Sequence, residues 1–292
     1  MTVYPHDLNA DLHAHSIFSD GTMTPEALVQ RAAERGVQLF ALTDHDEVSG
    51  IARAQAAARD CRLPFVPGVE VSVTFVGHTV HIVGLNVDPK DDSLRAGLAR
   101  TRDGRLQRAR EMAAGLAAAG IPDSFEGALK YVGNPELVSR THFARYIVER
   151  GICSDTREVF GRFLVEGRPG YVPHRWARLA DAVSWIRGAG GVPVIAHPAR
   201  YRLTPTELWA LFCEFREAGG LAVEVATSSH SADDLKRFAQ MAREFGLDGS
   251  RGSDFHGPNE SHAELGQVAA VPYDIPPVWH RFVGAASPAL VN

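Results

Sequence analysis

The chain has 292 residues, 45% hydrophobic and 22% charged, a composition that excludes wholesale disorder, a collagen-like repeat and a coiled coil. Thirty Lys and Arg against 35 Asp and Glu leave a net charge of −5, so no global positive field exists to gather long polyanions. A chain of this length buries a substantial core without disulfides or a structural metal.

Residues 8–14 read as a short strand. Thr24, Pro25 and Glu26 open a helix, with Thr24 as N-cap and Pro25 at the first helical position, and the helix stops at Gly36. The apolar run at 38–44 is a buried parallel strand. A helix at 50–60 and a strand region at 63–75 follow, and Gly77 turns the chain into a hairpin partner at 78–87. The rhythm changes near Pro89, and from 91 to 172 the patterns are helical. Leu94, Leu98, Leu106, Met112 and Leu116 predict one long amphipathic helix, and 141–151 predicts another. Alternation resumes with a helix at 178–189, a strand at 191–196, a helix at 204–219, a strand at 221–226, a helix at 232–246 and a strand at 249–254. About seven strand–helix units around an insertion predict a barrel-like α/β body.

Cys61, Cys153 and Cys213 lie far apart and fit neither a disulfide framework nor a paired-cysteine metal knuckle. Reduced thiols in a cytoplasmic protein are the expectation. The first fifteen residues carry acids and histidines where a signal peptide needs a basic region and then an apolar run. No apolar run approaches the roughly 18 residues of a membrane span.

Histidines and carboxylates gather at strand ends. His13 and His15 stand two apart, on one face of a strand, and Asp20 follows in a Ser-Asp-Gly turn. His45 lies between Asp44 and Asp46 at the end of an apolar strand, where functional residues of parallel α/β proteins sit. Glu70 interrupts an apolar strand, a costly position unless the carboxylate is paired or ligated. His81 lies in the hairpin partner, and His197 directly follows another apolar strand. Asp254 and His256 repeat the spacing of two. Singly, each cluster also reads as polar residues facing solvent or shaping a turn; together they point to a metal centre. The set is imidazole plus carboxylate without thiolate, which suits Zn²⁺, Mn²⁺ or Fe²⁺. Nine ligands exceed one ion, so two or three are expected, with Glu70 or Asp254 able to bridge.

The segment DLHAHSIFSDGTMTPEALVQRAAERGVQLFALTDHDEVSG, with GVEVS, HIVG, IAHPARY and GSDFHG after it, resembles the polymerase-and-histidinol-phosphatase (PHP) family across the whole chain. The resemblance implies an α/β fold, a distorted (β/α)7 barrel at 1–90 and 173–292. A mostly helical subdomain at 91–172 would cover its mouth. It implies a trinuclear site: His13, His15, Glu70 and Asp254 on one ion; Glu70, His81 and His197 on a second; Asp20, His45 and His256 on the third. It also implies phosphoester hydrolysis by a hydroxide held between metal ions, with no protein nucleophile. Within the family the chain resembles phosphatases of 3′,5′-nucleoside bisphosphates such as pAp, and relatives that trim short RNA from its 5′ end; histidinol phosphatases share the metal motifs.

Arg200, three residues after His197, is the expected phosphate clamp. Arg140 and His142 open a helix of the insertion and are expected to touch substrate; His230 is the expected leaving-group acid. Asp44 and Asp46 are expected to orient ligands. Arginines 95, 100, 102, 105, 108 and 110 read as the solvated face of a helix, with an RNA-binding face as the alternative. Expected partners are thus a small phosphorylated substrate, a nucleotide first, and short RNA ends; no membrane and no obligate protein partner are expected. Two other classes compete: an amidohydrolase-type barrel, which needs a carboxylated lysine or a bridging acid, and a non-catalytic metal-binding protein.

Overall fold

The computed structural model describes residues 6–282. Short apolar runs form the seven strands β1 (Ala10–Asp11), β2 (Leu39–Leu42), β3 (Phe65–Phe75), β4 (His78–Leu85), β5 (Val192–Ile195), β6 (Ala222–Thr227) and β7 (Asp248–Gly252). They lie side by side in chain order. β1, β2 and β3 are parallel, as are β5, β6 and β7; β4 runs antiparallel to both neighbours and distorts the barrel. The seam between β7 and β1 is closed by Leu12 N–H to Arg251 O at 3.1 Å and Asp254 N–H to His13 O at 2.8 Å. Gly252 allows that approach, because a Cβ there would lie 2.3 Å from the His13 Cβ.

Helices cover the barrel: α1 (Pro25–Glu34), α2 (Ile51–Asp60), α3 (Asp92–Arg102), then, after the insertion, α8 (Leu179–Gly188), α9 (Pro205–Glu217) and α10 (Ala232–Phe245). Thr24 caps α1 through Ala27 N–H, and Thr204 and Ser231 form capping boxes on α9 and α10. Between α3 and α8 lie α4 (Arg105–Ala118), α5 (Ser124–Leu129), α6 (Arg140–Glu149) and α7 (Thr156–Val159). These bury a second apolar cluster, including Met112, Leu116, Phe143, Ile147, Val159 and Leu164, apart from the barrel core. Each such side chain contributes roughly 1.5–3 kcal/mol on burial, which accounts for the cluster holding as a unit.

The long helix expected over 94–116 is two helices. Gly104, at φ 84°, breaks the chain between α3 and α4. Leu94 and Leu98 belong to the barrel core, whereas Ala109, Met112 and Leu116 belong to the second cluster. One straight helix cannot aim both stripes at two different cores. The insertion's own core therefore begins after Gly104 rather than at residue 91. Among the described residues, no helix is long and apolar enough to cross a membrane.

Candidate metal centre

The strand ends converge on Glu70, fully buried in the middle of β3. Its carboxylate faces five imidazoles: His13 Nε2 at 3.2 Å, His15 Nε2 at 3.3 Å, and His45 Nδ1, His81 Nδ1 and His197 Nε2 each at 2.9 Å. Asp254 approaches His15 Nε2 at 3.1 Å and His13 Nε2 at 3.5 Å. Asp20 approaches His256 Nε2 at 3.3 Å and His45 Nε2 at 3.8 Å. All nine predicted ligand residues thus meet in one site.

Their donor atoms fall into three overlapping groups, each within 4.8 Å: His13, His15, Glu70 and Asp254; His45, Glu70 and His81; His15, Asp20, His45 and His256. His197 joins the second through Glu70 at 2.9 Å and His81 at 3.4 Å. His15 and His45 each stand in two groups, a sharing that the one-ion-per-histidine partition above does not contain. The donor chemistry fits divalent cations. His13 Nε2 and His15 Nε2 point at each other 3.1 Å apart, an arrangement that needs a proton or cation between them. Glu70 Oε2 and Asp20 Oδ1 are buried without a hydrogen-bond donor.

The three carboxylates are held as anions. Burial alone would raise the Glu70 carboxyl, yet His45, His81 and His13 hold it well below the usual carboxylate range. Asp20 and Asp254 are held low in the same way, Asp20 by His256 and His45, Asp254 by Arg200 and His13. Burial, then the His256 charge, pushes His15 down to about 3, so the ring is neutral and one nitrogen keeps a free lone pair. Three site residues carry positive φ, Asp46 at 51°, His197 at 25° and Asp254 at 54°, and such strain clusters where function fixes the backbone.

The Asp44 and Asp46 side chains bond serines and an arginine around the centre. Asp44 accepts hydrogen bonds from Ser16 N–H, Ser16 Oγ and Ser19 Oγ, each at 2.7 Å, and shapes the loop before Asp20. Asp46 accepts from Ser72 N–H and Oγ at 2.8 Å and pairs with Arg105 of the insertion.

A cavity of about 290 Å³ opens above the centre. The candidate ligands Asp20, His45, His81, His197, Asp254 and His256 form one part of its wall; Arg105, Arg108, Arg140, Phe160 and Trp176 form another. Arg200 lines it and pairs with Asp254. Arg140 also lines it, but His142 does not: it is fully buried, and its Nδ1 accepts Ser139 N–H at 3.0 Å as the end of a capping box. His230 lies off the cavity too. Its Nδ1 bonds Val225 O at 3.1 Å, Ala199 N–H reaches its Nε2 at 3.4 Å, and its ring stacks on Phe238. His230 thereby supports the loop after His197 instead of facing substrate. No lysine lines the cavity, so the carboxylated lysine of an amidohydrolase-type site has no counterpart among its lining residues.

Sequence reasoning missed three contributors. Glu224, buried in β6, holds His13 Nδ1 at 2.8 Å with one oxygen and accepts His197 N–H at 2.6 Å with the other. Its signal was the one that marked Glu70, an acid inside an apolar strand. Tyr201 Oη accepts His81 N–H at 2.9 Å and donates to Ala196 O at 2.6 Å, joining the β4 and β5 ligands. Arg108 turns into the cavity from a stretch that reads as a solvated face.

Comparison with known proteins agrees with this geometry. The family profile described as PHP domain matches residues 11–131. The 3′,5′-nucleoside bisphosphate phosphatase of Chromobacterium violaceum is 52% identical over 273 residues, 94% of this chain and 96% of that protein. The 5′-3′ exoribonuclease of Haemophilus influenzae is 39% identical over 93% of this chain and 98% of its own. A structure solved for an amidohydrolase of C. violaceum, with bound sulfate and no metal, superposes with a TM-score of 0.91 at 51% identity, over 94% of this chain and 95% of that one. With nine clustered donors on a seven-stranded distorted barrel and relatives matched nearly end to end, the chain belongs to the PHP domain family.

Proposed function

We propose that this protein is a metal-dependent phosphoesterase that removes one phosphate from a small nucleotide, with a 3′,5′-nucleoside bisphosphate as its preferred substrate. The name of the 52% identical relative supports the reading. The observation that carries it is a second cationic group in the same cavity as the metal-site residues. Arg108 donates to Val172 O at 2.9 Å and Arg140 to Leu164 O at 3.4 Å; among the described residues neither is paired with a carboxylate. Burial, then the neighbouring Arg140 and Arg105 charges, pushes Arg108 down to about 10. Half-buried, mutually repelling guanidiniums without a carboxylate partner call for an anion. A bisphosphate offers one phosphate to the metal-site residues and one to this pair.

His13, His15, Glu70, Asp254, His81, His197, Asp20, His45 and His256 would hold two or three divalent ions, and imidazole with carboxylate suits manganese, zinc or iron(II). When bound, such ions supply Lewis-acid stabilisation of phosphoryl charge and lower the pKa of water. Arg200, beside Asp254, is placed to neutralise charge on the transferring phosphoryl group. Arg108 and Arg140 would fix the other phosphate and so orient the reacting one. The cavity's serines are tied into the fold, Ser72 to Asp46 and Ser139 into the capping box of α6. Residues 105–172 act as an inserted unit over the barrel mouth, and three free cysteines suit action in the cytoplasm.

The test is phosphate release by the manganese-loaded protein from pAp, 5′-AMP, 3′-AMP, histidinol phosphate and a short 5′-phosphorylated oligoribonucleotide. The reading predicts the highest kcat/KM for pAp. Equal values for pAp and the mononucleotides would remove the bisphosphate preference. Preferred shortening of the oligoribonucleotide would move the protein to the activity for which its 39% identical relative is named.

A further inference from the structure

We propose that the helical insertion is a working part of the metal centre: Thr141 and Arg145 of α6 position Asp20, and with it the group formed by His15, Asp20, His45 and His256. The proposal rests on the reading that this group holds a divalent cation.

Asp20 and His256 stand on two loops at opposite sides of the barrel seam. The main chains of these loops meet directly, since Thr22 N–H donates to His256 O at 2.7 Å. The Asp20 carboxylate has no such support from the barrel. Its Oδ2 accepts a hydrogen bond from Thr141 Oγ1 at 3.1 Å, and among the described residues Thr141 is its only hydroxyl or amide donor. Its Oδ1 has no hydrogen-bond partner and faces the imidazoles. One oxygen is therefore tied to the insertion and the other is free to ligate, the division expected of a carboxylate held by a partner outside the ligand set.

Arg145, one helical turn along α6, works on both loops. Its guanidinium donates to the Asp20 carbonyl and takes Glu260 in a fork, with both nitrogens at 2.7 Å. Glu260 sits in the turn after His256, where Ser261 Oγ accepts His256 N–H at 2.7 Å. The side chain of Arg145 is only 8% exposed, so the fork is shielded from solvent. Arg140, which lines the substrate cavity, is the residue before Thr141. Docking of one helix thus presents a cation to the substrate and aims a carboxylate at the metal group. Simple packing glue between two units would need neither contact on Asp20.

The test uses full-length holoprotein as wild type, Thr141→Val, Thr141→Ser and Arg145→Lys. Each is dialysed against buffered chelator over a range of free Mn²⁺, and ions per chain are counted by mass spectrometry. Thermal melts of the metal-free forms report folding separately. Thr141→Val should weaken one ion per chain about 10- to 100-fold and leave the others in place. Thr141→Ser should restore it, and Arg145→Lys, which loses the fork, should weaken the same ion. A Thr141→Val protein with wild-type ion content and affinities within about twofold overturns the proposal. So does an equal weakening of every ion together with a lower metal-free Tm, which marks general docking. A wild type that binds no ion overturns the metal reading itself, and this proposal with it.

Discussion

Replacing Glu224 separates ligand orientation from fold stability. Its carboxylate does two jobs, accepting His197 N–H at 2.6 Å and contacting His13 Nδ1 at 2.8 Å. The second contact fixes a proton on His13 Nδ1 and turns Nε2 toward Glu70 and Asp254, the nitrogen that would ligate. The first steadies His197, whose backbone sits at φ 25°. In Glu224→Gln the amide oxygen can serve only one of the two donors. If it keeps His197 N–H, the amide NH₂ faces His13 and favours the tautomer with its proton on Nε2, which cannot ligate. Loss of such an orienting partner lowers metal affinity about 10- to 100-fold, or about 1.4–2.7 kcal/mol. Glu224→Ala instead leaves two buried donors unpaired at about 1–3 kcal/mol each, so its metal-free form should also melt lower. Metal titration by calorimetry, beside melts of the metal-free proteins, reads the two effects independently. A Glu224→Gln protein that binds manganese like wild type, or one that loses only fold stability, would refute the orientation argument.

Three further outcomes follow from the same contacts. Chelation should lower Tm by about 5–10 °C, because one ion at a hundredfold excess over its Kd contributes about 2.7 kcal/mol and a domain of this size shifts about 2–4 °C per kcal/mol; calorimetry with and without chelator checks it. Arg108→Ala and Arg140→Ala should each lower kcat/KM for pAp about 10- to 150-fold, the worth of a charge-assisted contact of roughly 1.5–3 kcal/mol, and should affect 3′-AMP far less in the same assay. Burial holds His142 down to about 4, so the unfolded chain takes up its proton first as pH falls. Its contribution to stability is complete above pH ~6.5 and is lost toward pH ~4, up to about 3 kcal/mol. Denaturant melts across that window should show a flatter pH dependence for His142→Gln than for wild type.

The barrel was legible because its signals are short-range. Thr24 with Pro25, Thr204 with Glu207 and Ser231 with Asp234 mark helix starts over a few residues. The candidate ligands were legible for the same reason. A strand end fixes where His197 or Asp254 points almost regardless of the rest of the chain. Parallel strands in sequential order then bring those ends together. What failed was whatever depends on how a helix is rotated about its own axis. The apolar positions from Leu94 to Leu116 fit one straight helix. Only the two separate cores require the break at Gly104.

That break decides what the arginines after it do. Past Gly104, Arg105 meets Asp46 and stacks on Trp176, and Arg108 turns into the cavity instead of toward solvent. His142 shows the converse. Three residues after Ser139 is the position of a capping partner, so its spacing already offered a local role that needs no substrate. In the proposed reading, the chemistry of phosphoester cleavage therefore falls where local pattern places it, on the barrel strands and their ends. In that reading, choice of substrate falls to α4 and α6, where only tertiary packing sets the direction of Arg108 and Arg140. Thr141 joins the two, since the helix that offers Arg140 to the cavity also holds the Asp20 carboxylate. Substitutions in the barrel ends should alter turnover on every phosphoester. Substitutions of Arg108 and Arg140 should change which phosphoester is preferred.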